Sequence, residues 1–136
     1  MLARWKQEDT FHRSLELRRG GDEFVFYDGP PFPTGNPHHG TLFVSVLKDV
    51  VGRYKTMRGY YVPRAWGWDC HGLPIETQAE KNLGITDKSE IAGRVGVAAF
   101  NDECRRIVAN FNANWKTYID KIGRWVDFDT PYSTLD

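Results

Sequence analysis

The sequence predicts an α/β fold built on a parallel strand–helix–strand unit. Three observations carry this. EFVFY (23–27) is a continuous β-branched and aromatic run. Helical spacing begins at Leu42, and a second apolar, aromatic run, YYVPRAWGWD, follows at 60–69. Two strands joined by a helix of this length are expected to lie parallel and to cross over in the right-handed sense.

The elements follow in order. Residues 2–19 carry apolar side chains at Leu2, Trp5, Phe11, Leu15 and Leu17 among many charges, which suits a broken helix or two short ones ended by Gly20-Gly21. EFVFY reads as a buried strand. From Leu42 the apolar residues Leu42, Val46, Val50 and Tyr54 recur at i+4, with Phe43, Leu47 and Val51 beside them. That pattern predicts a helix buried over a wide face, running to Met57 and stopped by Gly59. In the 60–69 strand Pro63 belongs at the start or edge, because proline donates nothing to a ladder. Residues 75–83 are expected to be helical up to Gly84, and Ser89 is a candidate helix start. Phe100, Cys104, Ile107, Phe111, Trp115, Tyr118, Ile119 and Ile122 then mark the clearest amphipathic helix, ended by Gly123.

Composition narrows the function classes. The 136 residues suffice for one domain with a real core. Eighteen basic and eighteen acidic residues cancel, so any nucleic-acid contact must be local. No stretch reaches the length of a membrane span and MLARWKQEDTFHR lacks the apolar region of a signal peptide, so no membrane partner and a cytoplasmic location are expected. Cys70 and Cys104 lie far apart with no CxxC. A disulfide, a zinc pair or inert thiols all fit, and a reduced pair is the expectation.

The chemistry concentrates in DGPPFPTGNPHHGTLF (28–43). In an open parallel sheet, ligands bind beyond the carboxyl ends of strands, where a loop feeds a helix N-terminus. Gly29, Gly35 and Gly40 permit positive φ or close approach, and Pro30, Pro31, Pro33 and Pro37 fix φ. Amides opening the helix suit an anion, Thr41 could cap it, and His38 and His39 stand where a phosphate would arrive. Glycine and proline also mark ordinary turns, and neither GxxxxGK[ST] nor GxGxxG is present, so the loop alone fits a plain rigid turn as well. GWDCHGLP (67–74) repeats the pattern after the second strand, so Asp69 and His71 could face the first loop. Asp69 suits an ammonium group. It could equally cap the next helix, and Trp66 and Trp68 read as core.

DGPP…PHHG followed by GWDCHGLPIE resembles the start of a class I aminoacyl-tRNA synthetase catalytic domain, and among these the isoleucyl-tRNA synthetases. FVFYDGPPF, KDVVGRYKTMRGYYVPR and GRWVDFD (123–129) fit as well, so the resemblance covers nearly the whole chain. It implies the first half of a Rossmann-like nucleotide-binding fold, with residues 1–22 as an N-terminal helical segment and 23–136 as the catalytic half-domain. It also implies isoleucine and ATP as ligands, Mg2+ on the ATP phosphates, and formation of isoleucyl adenylate for transfer to tRNA(Ile), the tRNA partner of the full-length family. Gly29, Pro30 and Asp69 would bind the amino acid, with His71 in support. Pro37, His38, Gly40 and Thr41 would bind ATP, with His38 and Thr41 catalytic and no protein-held metal.

Two departures accompany the resemblance. HHGT replaces the last histidine of a HIGH-type signature by Thr41. No KMSKS-type lysine loop is present, and the chain is expected to be a fragment ending at TPYSTLD before an editing insertion. Such a piece is expected to be weakly active or inactive alone and to self-associate through an uncovered sheet edge. A non-catalytic nucleotide- or adenylate-binding relative, or a truncated product that makes protein contacts, remain the alternatives.

Overall fold

The computed structural model describes residues 1–135, apart from the side chains of residues 111–113, so Phe111 of the predicted stripe lies outside the described residues. The element order is α1 (Leu2–Gln7), α2 (Thr10–Glu16), α3 (His39–Met57), β1 (Ala65–Trp68), α4 (Leu73–Leu83), a π turn (Ile91–Val95), α5 (Val97–Ile122) and β2 (Asp127–Ser133). The chain forms two compact units. The first comprises residues 1–29, 37–67 and 116–132, and the second 30–36, 68–115 and 133–136.

In the first unit the strand–helix–strand idea survives in reduced form. Glu23 and Tyr61 make a parallel bridge, with the Phe24 amide on Tyr61 O and the Tyr61 amide on Asp22 O, each at 2.9 Å. Residues 24–27 extend no ladder, and the run is not buried on both sides as predicted. Phe24, Phe26 and Asp28 turn inward while Val25 and Tyr27 face water, the alternation of an extended chain against a single surface. The paired strands are β1 and β2. Asp127 donates to Arg64 O at 2.8 Å here and, in the second unit, Thr134 donates to Trp68 O at 3.1 Å, so both partners advance together, as parallel pairing requires. Trp66 is 1% exposed and stacks on Phe128 at 4.4 Å, so its reading as core holds.

Helix α3 departs most from expectation. Its apolar stripe faces solvent: Val46, Leu47, Val50 and Tyr54 are 45–57% exposed. The buried positions are Ser45, Gly52 and Thr56. Arg64 lies along this small, polar stripe, donating from Nη2 to Thr56 Oγ1 at 2.9 Å and from Nε to Val62 O at 3.2 Å. A Cβ on Gly52 would meet Arg64 Cδ at 3.0 Å, so glycine makes the room. Burial pushes the Arg64 guanidinium down to about 10, still cationic at neutral pH. Helices α1 and α2 belong to the same unit. Trp5 meets Trp125 edge to face at 5.4 Å, with Arg53 over both rings.

The second unit has a conventional core. Ala79 of α4 packs with Phe100 and Ile107 of α5, and Leu83, Ile85, Ile91, Val95 and Cys104 close around them. Gly84 ends α4 as predicted. The region after Ser89 winds one π turn before α5 begins at Val97, three residues ahead of the predicted stripe.

Candidate functional site

The predicted site residues divide between the units, and each set has its own geometry. In the first unit, α3 begins at His39, three residues before the first apolar periodic position. Its N-cap is His38, not Thr41. His38 is extended (φ −96°, ψ 171°), and its Nδ1 accepts the Thr41 amide at 3.3 Å. A cap must offer an acceptor to an orphan helix amide, and a ring nitrogen serves when it carries no proton. An accepting Nδ1 places the proton of the neutral ring on Nε2. His38 thus offers an outward N–H donor at the positive end of a nineteen-residue helix. Gly40 leaves the ring uncrowded, because a Cβ there would lie 3.1 Å from His38 Cε1 and 3.2 Å from Nδ1. Pro37 sets the backbone just before the cap, and His38, His39 and Gly40 are all exposed.

Asp28 and Gly29 lie in the same unit. The Asp28 carboxylate is bound by Lys48 and Arg124, whose side chains are largely buried. Lys48 Nζ also donates to Gly29 O at 3.0 Å, and Arg124 Nη1 reaches Ser45 Oγ at 3.3 Å. A Cβ on Gly29 would touch nothing within 4 Å, and its φ is not positive. Neither packing nor backbone therefore requires glycine there, which leaves room on that face for a ligand.

The second unit holds Pro30, Pro31, Asp69 and His71. The Asp69 amide donates to Pro31 O at 3.0 Å, which ties the GWDCHGLP turn to the proline loop. The loop is pinned again where the Trp115 indole donates to Gly35 O at 3.1 Å. Gly35 sits at φ +66°, a left-handed conformation that favours glycine. Trp68, itself core, meets Trp115 edge to face at 5.8 Å. The half-buried Asp69 carboxylate has no hydrogen-bond or ion-pair partner among the described residues. It does not cap α4, whose N-cap is Gly72. His71 Nε2 bonds Thr134 O at 2.7 Å, and the Cys70 amide donates to Thr134 Oγ1 at 2.8 Å. His71 is exposed and anchors the end of β2. Cys70 and Cys104 are both free thiols, and burial foremost pushes the Cys104 thiol up.

The whole chain, residues 1–136, matches the family model for tRNA synthetases class I (I, L, M and V). The chain belongs to this family. Among curated class I synthetases it is 52% identical to the isoleucine–tRNA ligase of Chlamydia muridarum and 53% identical to that of Mycobacterium tuberculosis (strain CDC 1551 / Oshkosh). It is 51% identical to isoleucine–tRNA ligase 2 of Pseudomonas fluorescens. Each match covers all of this chain and 13% of the relative, so the chain spans about an eighth of the length of these synthetases. A solved ternary complex of Agrobacterium radiobacter K84 agnB2 LeuRS with tRNA and LeuAMS matches 99% of the chain and 15% of its own. The TM-score is 0.71 at 20% identity, which establishes the class I fold. Among the described residues, no helix is long and apolar enough to cross a membrane.

Sequence reasoning missed the residues that hold this class I synthetase segment in shape. Lys48, Asp49, Arg64 and Arg124 were passed over because apolar periodicity guided the reading of α3. The signal was present as a polar repeat: Ser45, Lys48, Asp49, Gly52, Arg53 and Thr56 recur at threes and fours. Asp49 on this stripe pairs with Arg53 at 2.6 Å and accepts the Trp125 amide at 2.9 Å.

Proposed function

We propose that this chain carries the amino-acid and nucleotide contacts of isoleucine activation. In that reaction the isoleucine carboxylate attacks the ATP α-phosphate, giving isoleucyl adenylate and pyrophosphate for later transfer to tRNA(Ile). The identity of more than half the residues to isoleucine–tRNA ligases supports the substrate. The observation that carries the nucleotide role is the His38 cap. It fixes one tautomer and presents Nε2–H beside the open end of α3, where charge on a phosphoryl oxygen would be met by a preorganised donor. Pro37, Gly40 and Thr41 shape the same turn, and Mg2+ would arrive on the ATP phosphates.

Asp69 is the proposed partner of the α-ammonium group. A half-buried carboxylate without an internal partner is stabilised by an arriving cation. Gly29 and Pro30 are proposed to line the path of the amino acid, and His71 to steady the turn that holds Asp69. A cytoplasmic setting and tRNA(Ile) as a partner belong to the same proposal.

Thr41 favours a second reading. A threonine hydroxyl cannot become cationic, and the loss of one preorganised donor typically lowers a rate by about 10²–10³. A chain that binds adenylate without making it is consistent with that. Isoleucine-dependent ATP–pyrophosphate exchange on the purified chain, with Asp69→Ala as control, separates the two. Exchange that disappears in the control supports activation. Binding of nucleotide without exchange supports the second reading.

A further inference from the structure

The geometry points to Lys48, acting on Asp28, as the positioning residue that fixes the start of the substrate loop. Glycine at 29 leaves a bare, adaptable backbone where the proposed reading places the amino acid, and such a backbone holds no position by itself. The structure supplies a restraint. In an extended chain alternate side chains share a face, so Asp28 follows Phe24 and Phe26 inward. There its carboxylate meets Lys48 and Arg124 together. The three side chains are 13%, 21% and 7% exposed, so the charges are poorly screened and the geometry is tightly held. Lys48 does more than pair. The same Nζ donates to the Gly29 carbonyl at 3.0 Å, so one ammonium group grips the acidic side chain and the next peptide.

This arrangement also sets the local charge. One carboxylate faces two cations, which leaves a formal excess of one positive charge beside Gly29. Beyond its pair with Asp28, Arg124 donates to Ser45 Oγ at 3.3 Å and lies over the Trp66 ring, 5.2 Å from its guanidinium carbon. Of these two cations, it is Lys48 that donates to the Gly29 carbonyl. Arg124 is therefore the charge partner of Asp28, and Lys48 is the link from α3 to the loop.

The inference rests on the reading of Gly29 as a substrate contact, and two readouts keep them separate. The first needs no ligand: the ¹⁵N order parameter of Gly29 in the wild-type chain, Lys48→Met, Lys48→Gln and Lys48→Arg. A clamped peptide is expected near about 0.85, falling toward about 0.6 in Lys48→Met and recovering in Lys48→Arg, while α5 amides stay unchanged. Lys48→Gln, which keeps a donor without the charge, serves if Lys48→Met fails to fold. The second readout is the affinity of a sulfamoyl analogue of isoleucyl adenylate, expected to weaken about tenfold in Lys48→Met and to recover in Lys48→Arg. An unchanged Gly29 order parameter overturns the clamp whatever the analogue does. A mobile Gly29 with undiminished binding overturns its positioning role. A mobile Gly29 in a chain whose wild type binds no analogue upholds the clamp and overturns the substrate reading instead.

Discussion

His38 Nδ1 accepts the amide of Thr41, so one imidazole both starts α3 and offers its other nitrogen outward. Structure and chemistry can be separated here by substitution. His38→Asn keeps an acceptor suited to capping but places no N–H where Nε2 stands. It is expected to unfold within about 0.5 kcal/mol of wild type, whereas His38→Ala should lose about 1 kcal/mol with the cap. Any isoleucine-dependent exchange should fall by about 10²–10³ in both. Denaturant midpoints beside exchange rates check this, and activity in His38→Asn equal to wild type would refute it.

Gly40→Ala should behave in the opposite way to a usual helix variant. Alanine is the better helix former by about 1 kcal/mol. Its Cβ would nevertheless crowd the His38 ring, 3.1 Å from Cε1, and push it off the Thr41 amide. The expected result is near-neutral stability with nucleotide affinity reduced at least about tenfold, measured by calorimetry on the folded variant. Retained affinity would show that ring position is immaterial.

The inverted face of α3 makes a paired prediction. Val50 is 57% exposed, so Val50→Ala should change stability by no more than about 0.5 kcal/mol. Thr56 is buried, donating to Gly52 O at 2.9 Å and accepting from Arg64. Thr56→Val keeps the shape but strands the Arg64 donor, at an expected cost of about 1–3 kcal/mol. Chemical denaturation of the two variants decides it, and a large loss at Val50 would restore the sequence-based picture of the helix.

Gly123 closes α5 at φ +72°, and a Cβ there would come within 2.7 Å of Leu2 Cδ2 and 3.3 Å of Trp5 Cζ3. Gly123→Ala combines the left-handed penalty, about 1–2 kcal/mol, with displacement of α1. A melting temperature several degrees lower is expected, with quenching of Trp5 changed. An unaltered melt would mean that α1 does not dock on this turn.

Glu90 gives the pH dependence a sign. Its carboxylate accepts the Thr86 and Asp87 amides and pairs with Arg94, which holds it down at about 2. A depressed acid stabilises the fold above the unfolded value near 4.5, and this contribution is lost as pH falls toward about 2. The melting temperatures of wild type and Glu90→Gln should therefore differ at pH 6 and converge between pH 4.5 and 2. A gap that persists at pH 2 would contradict the assignment.

Much of this was legible in the residues. Gly84 and Gly123 marked real helix ends and the 100–122 stripe found α5, while DGPP and GWDCHGLP supplied the residues of the proposed site. The misses share a cause. Periodicity reports which residues could be buried together, not which face is buried, and α3 carries two stripes of opposite character. EFVFY failed similarly, since a run of strand formers does not say whether a partner strand lies beside it. Thr41 reads as a possible cap because hydroxyls commonly cap, while a histidine ring does so only when the accepting nitrogen carries no proton.

The outward hydrocarbon of α3 also has a calorimetric consequence. The heat capacity of unfolding arises mainly from apolar surface newly wetted when the chain opens. Val46, Leu47, Val50 and Tyr54 are already wet in the native state, and the docked side of the helix releases polar groups, whose hydration contributes with opposite sign. For 136 residues the usual increment is about 1.6–2.0 kcal/mol/K, and this chain should fall below it. Its stability curve would then be broad and flat, changing little between refrigerator and body temperature.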